Sequence, residues 1–190
     1  MQSTANGVNE AKKIIDAQAE HKDGAKAQVS SPDILLYSDL YKNAMMGAES
    51  CAKIVGKTTP AEDKQSADGA ENGAEKCERL RLLVTDMLEG YSGFAKKAKA
   101  ALEELGAPAE QLSMLERMPA EIGITVQTMF DRSPSKLAEL MINGATMGII
   151  DMKKAQRVCS EDGCSPEAYR AASDVISFCE DYVESLKDYL

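Results

Sequence analysis

Six carboxylates, Glu49, Asp86, Glu89, Glu121, Glu139 and Asp151, stand inside long stretches of helical apolar periodicity. Acidic side chains aimed into a bundle of helices are hard oxygen ligands for a hard cation. A dinuclear centre of that kind takes a Glu from each of two helices and a Glu-x-x-His from each of two others. The chain has a single histidine, His21, remote in sequence from all six, so neither Glu-x-x-His exists. What remains is a carboxylate-only iron site, for which Glu49, Asp86, Glu89 and Asp151 are the candidate ligands.

Direction decides whether such a site can form, because each helical residue turns by about 100°. In "PDILLYSDLYKNAMMGAESCAKIV" an apolar stripe runs through Leu36, Leu40, Ala44, Ala48, Cys51 and Val55. Glu49 points about 140° away from it. Along 74–105 the stripe of Leu80, Val84, Met87, Tyr91, Ala98, Leu102 and Leu105 leaves Asp86 about 140° off and Glu89 about 160° off. Glu121 and Glu139 are turned away in the same manner. Only Asp151 comes near a core direction, about 60° from the line of Leu137, Met141, Gly144, Gly148 and Met152, and one carboxylate is no cage. The sequence therefore predicts no metal, no cofactor and no catalytic residue. An iron-handling, ferroxidase-like protein is the alternative.

The elements that would position these residues are marked by one repeated signal. Ser31-Pro32, Ser133-Pro134 and Ser165-Pro166 each pair an N-cap hydroxyl with a proline whose missing N–H costs nothing in the first turn. They predict helices over 32–55, 134–159 and 166–190, with Gly56 ending the first. A further long helix is predicted over 74–105, closed by Gly106, and a shorter one over 111–130, bent near Pro119. Residues 57–73 are nearly devoid of apolar side chains and read as a flexible polar loop. Residues 1–30 read as a mobile or partly helical arm, which leaves 31–190 as a single helical-bundle domain.

Composition agrees with an all-α interior. Hydrophobic residues make up 44% of the chain and aromatics only 5%, with ten Met and no Trp, so the core volume is mostly aliphatic and sulfur-bearing. The net charge of -9 opposes attraction to nucleic acid or an anionic membrane. No segment approaches the roughly 20 apolar residues of a membrane span, and the N-terminus lacks the apolar core of a secretory signal, so a cytoplasmic protein is expected.

With the helices in place, "LYKNAMMGAES", "LEGYSGFAKKA" and "MINGATMGIIDM" together resemble an uncharacterised family of bacterial ferritin-like helical-bundle proteins. The resemblance implies a ferritin-like antiparallel bundle of four long helices plus one shorter helix. That fold often carries a di-iron centre, which the direction of the carboxylates opposes here.

Two features remain. Glycine inside a helix costs about 1 kcal/mol relative to alanine, so Gly144 and Gly148 imply a close neighbour, with Ala44, Gly47 and Ala48 as the complementary small surface. Ile142, Ile149 and Ile150 make a second face of that helix apolar, which suits a homo-oligomer or protein partner. A small apolar ligand carried beside the glycines is a third reading. The five cysteines suit reduced thiols, although "CSEDGC", Cys159 to Cys164, could be stapled as a redox switch. The function expected overall is structural or protein-interacting rather than catalytic.

Overall fold

The computed structural model describes residues 31–56, 70–108, 113 and 133–190, with 70–72 as backbone alone. The chain divides into two units, Met1–Ser30 and Ser31–Leu190, and the bundle is the second. Among the described residues it contains four long helices: α1 (Pro32–Val55), α2 (Ala70–Glu104), α3 (Pro134–Glu161) and α4 (Pro166–Lys187). This corrects the expected count of four long helices plus one shorter. Among the described residues, these four helices supply the core described below. The stretch 111–130 lies outside the described residues except for Ser113, as do His21, Glu121 and the N-terminal arm.

The three Ser-Pro starts behave as their chemistry requires. The hydroxyls of Ser31, Ser133 and Ser165 accept the amides of Ile34, Lys136 and Ala168 at 3.3, 3.3 and 3.2 Å, each satisfying one orphan donor of a first turn. The start of α2 departs from expectation. The helix begins at Ala70, inside the segment read as polar loop. Its end is a Schellman turn: Gly106 takes φ +69°, and the Ala107 amide reaches back to the Leu102 carbonyl at 2.9 Å. That turn lifts Leu105, expected in the core, to 42% exposure.

Helix directions follow from pairs of contacts. Gly47 lies against Tyr91, and Tyr37 senses the charge of Glu104, so α1 and α2 are antiparallel. Asn43 bonds Gly148 and Cys159 approaches Pro32, so α1 and α3 are antiparallel too. Gln156 bonds Tyr169 and Ser173, and Lys153 pairs with Glu180 at 2.6 Å, which sets α4 against α3. The order is up, down, down, up: α2 and α3 run parallel, joined by the single long connection 105–133. The bundle is thus two antiparallel hairpins.

The core is built from Leu36, Leu40, Ala44, Cys51 and Ile54 of α1, with Leu80, Val84, Met87 and Leu102 of α2. Leu137, Met141 and Met152 of α3 and Val175, Cys179 and Leu186 of α4 complete it. The stripes predicted for α1 and α2 are thus largely the buried ones, whereas Tyr169 and Leu190 in the C-terminal segment are exposed.

Candidate functional site

Between α1, α2 and α4, where a bundle of this type would hold inward ligands, the interior is filled by rings and thiols. Tyr91 reaches across from α2, and its Oη shares a hydrogen bond with Cys179 Sγ at 3.3 Å. Phe178 meets the rings of Tyr91, Phe94 and Tyr182 edge-on, with centroids 5.1, 5.1 and 4.7 Å apart, a favoured quadrupole arrangement. Glycines make room for these rings. A Cβ on Gly47 would stand 2.6 Å from the Tyr91 ring, and one on Gly90 would stand 2.2 Å from Phe178.

Burial controls the ionisation of this cluster. Desolvation, reinforced by the neighbouring Cys179, pushes the Cys51 thiol up to about 12. The Tyr91 hydroxyl and the Cys179 thiol are also raised, in each case chiefly by burial. A thiol must ionise to act as a nucleophile, so these groups are inert filling at neutral pH. Because Cys51 titrates higher folded than unfolded, its contribution to stability is fully present below the free-thiol value of about 8.5. That contribution is lost as pH rises through about 12. Cys51 and Cys179 are expected to resist iodoacetamide at neutral pH in the native protein and to react rapidly in denaturant, as counted by mass spectrometry. Rapid native labelling of either would contradict the buried placement.

The candidate carboxylates do not converge. Asp86 accepts a hydrogen bond from the Tyr182 hydroxyl at the bundle surface. Asp151 is exposed and pairs with Lys154 at 3.2 Å, so the core-edge position expected for it is corrected: the true buried line of α3 runs through Ala138, Ala145 and Met152. Glu89 is exposed, and Glu139 pairs with Lys136 at 2.6 Å. Glu49 also departs from its expected outward direction. It is half-buried, bonded through Oε1 to Lys53, and its Oε2 is shut from solvent without a partner, which costs about 1–3 kcal/mol.

The proposed small-residue seam is only partly of the expected kind. Ala44 and Ala48 are buried, but Gly47 makes room for Tyr91 rather than for α3. Gly144 has nothing within 4 Å of where a Cβ would stand, which corrects its assignment to close packing. It sits about 70° from the buried line of α3. Gly148 does meet α1: the Asn43 side-chain amide donates to its carbonyl at 3.1 Å.

Among the described residues, one group of ligand-type atoms does converge, and it lies at the end of the bundle. Cys159 and Cys164 form a disulfide with Cα atoms 5.0 Å apart, which corrects the expectation of five reduced thiols. The turn between α3 and α4 explains the pairing. Gly163 adopts φ +88° and the Cys164 amide donates to the Cys159 carbonyl at 2.9 Å. In such a Schellman turn these two positions carry side chains that touch. The turn therefore brings the two sulfurs together whatever their oxidation state.

The third member comes from α1. Asp33, in the first turn, accepts the Ser165 amide at 2.9 Å through Oδ1. Its carboxylate and the two sulfurs offer ligand atoms that all lie within 4.8 Å of one another. Cys159 Sγ is also 3.3 Å from the Pro32 carbonyl, an acceptor ready for its proton when the thiol is free. Cys159 is buried, whereas Cys164 is half-buried and borders an open hollow of about 470 Å³ with Pro166, Tyr169 and Arg170. Sequence reading missed Asp33 because 126 residues separate it from Cys159. The Asp-Gly pair inside "CSEDGC" marks only the turn that joins the two cysteines.

Compared with protein families, with curated proteins and with solved structures, the chain matches none of them.

Proposed function

We propose that this is a non-catalytic helical-bundle protein with a structural or protein-interaction role. The observation that carries the reading is the filling of the bundle's middle by Tyr91, Phe178, Cys51 and Cys179, while the carboxylates of α1, α2 and α3 stand apart. Two hairpins joined by one long connection, with the central pair parallel, is also the helix order of ferritin-like bundles. That order supports the resemblance carried by the three sequence phrases. Among the described residues no helix is long and apolar enough to cross a membrane, and we place the protein in the cytoplasm.

Self-association belongs to the same reading. Met147 is 67% exposed and Ile150 47% exposed on the outward side of α3, apolar side chains that suit a copy of this chain, while Ile142 and Ile149 of the expected second stripe pack partly against the core. The test is direct. With the Cys159–Cys164 disulfide intact, titration with ferrous iron is expected to give no stoichiometric binding and no oxygen consumption, and native mass measurement is expected to give a dimer or larger. Two irons bound per chain would overturn the non-catalytic reading, and a monomer at every concentration would overturn the self-association.

A further inference from the structure

We propose that Cys159, Cys164 and Asp33 form a site for a single thiophilic divalent cation, Zn²⁺, which exists only when the disulfide is reduced. The inference concerns the end of the bundle and does not rest on the structural reading of its middle. Zinc prefers four tetrahedral ligands drawn from thiolate, imidazole and carboxylate, with Zn–S near 2.3 Å and Zn–O near 2.0–2.2 Å. Such ligands lie about 3.5–4 Å from one another around the ion. The three atoms here are already within 4.8 Å, so side-chain rotation suffices once the S–S bond opens.

Backbone already fixes the site on both sides. The Schellman turn holds Cys159 and Cys164 together through the Cys164 amide and the Cys159 carbonyl. The Ser165 amide holds Oδ1 of Asp33, the kind of outer-shell bond that orients a ligating carboxylate. Two thiolates and a carboxylate make a soft, anionic set that favours Zn²⁺ over the hard cations of an all-oxygen site. Cys164 borders the open hollow, which gives water the fourth position and the ion a way in.

The chemistry balances in two stages. A low-molecular-weight thiol such as glutathione reduces the pair: the S–S bond takes up two electrons and two protons, and two reductant molecules leave joined as their own disulfide. Zn²⁺ then displaces the two thiol protons, forming two Zn–S bonds and releasing two H⁺. Oxidation and metal loading are therefore mutually exclusive, because the same sulfur electron pairs serve both bonds. The loaded ion would tie α1 to the α3–α4 corner through Asp33, a link that the disulfide alone does not make.

The experiment uses the full chain, reduced with a phosphine, stripped of metal and titrated with Co²⁺ as a spectroscopic stand-in for zinc. One equivalent is expected to bind, with sulfur-to-cobalt charge-transfer bands and the visible bands of a tetrahedral ion, and Zn²⁺ is expected to displace it. The oxidised wild-type protein, whose fold needs no substitution, is expected to give no bands. Cys164→Ser is expected to abolish them. Asp33→Asn is expected to weaken binding by about ten-fold or more, at least the cost of losing an outer-shell partner. Absence of thiolate bands in the reduced protein, or their persistence in Cys164→Ser or in the disulfide form, would overturn the site. Unchanged affinity in Asp33→Asn would remove the third ligand and overturn the proposal as stated.

Discussion

Replacing Tyr91 by alanine is expected to cost about 3–5 kcal/mol of stability, the loss that accompanies truncation of a buried aromatic ring. Tyr91 is 4% exposed and lies between Gly47 of α1 and Phe178 and Cys179 of α4. Its removal empties the middle of the bundle, and helix backbones cannot collapse to fill so wide a space. Tyr91→Phe keeps the ring and removes only the hydroxyl that bonds Cys179, so a loss of about 1 kcal/mol is expected. Urea unfolding followed by helical circular dichroism measures both, with an unchanged slope showing that the compactness of neither end state has moved. A Tyr91→Ala protein within about 1 kcal/mol of wild type would mean that the ring is not part of the core. The point bears on function, because the filling of the centre by this ring is what supports the non-catalytic reading proposed above.

The second large effect is a reversal of sign among glycines that look alike in sequence. An alanine inside a helix is favoured over glycine by about 1 kcal/mol, so Gly144→Ala, with nothing within 4 Å of the new methyl, is expected to stabilise by about that amount. Gly90→Ala places the methyl 2.2 Å from Phe178, and Gly47→Ala places it 2.6 Å from Tyr91. Both rings are wedged by their neighbours, so neither can swing aside cheaply. Overpacking of this kind costs about 1–3 kcal/mol, which offsets the propensity gain and leaves a net loss of up to about 2 kcal/mol. Chemical denaturation of the three variants side by side checks the ordering. Stabilisation by Gly90→Ala and Gly47→Ala alike would show that the rings do not press on these backbones.

The carboxylates give a further lesson in geometry. Helical angles alone placed Asp86 and Glu89 away from the core, and both are exposed. The same reasoning set Glu49 outward and Asp151 near the core, whereas Glu49 is half-buried and Asp151 is exposed. Angles measured from an assumed stripe inherit any error in where that stripe is centred. On α3 the line through Gly144 and Gly148 was rotated from the residues that pack, Ala138, Ala145 and Met152. On α1, Glu49 lies over against Lys53, and the burial of its Oε2 depends on what surrounds it in space.

What the amino-acid order by itself determined is what acts over one or two helical turns. Ser31, Ser133 and Ser165 fixed three helix starts because a hydroxyl and an amide three residues apart bond without reference to the rest of the chain. Residues such as Leu36, Leu80, Val84 and Met152 were recognisable as core from spacing alone. Only tertiary structure decided the up, down, down, up order, the seating of Tyr91 against Gly47, and the meeting of Asp33 with Cys159 and Cys164. Those depend on how far each helix slides and rotates against its neighbours, and that is set by the summed packing of many distant side chains rather than by any short pattern.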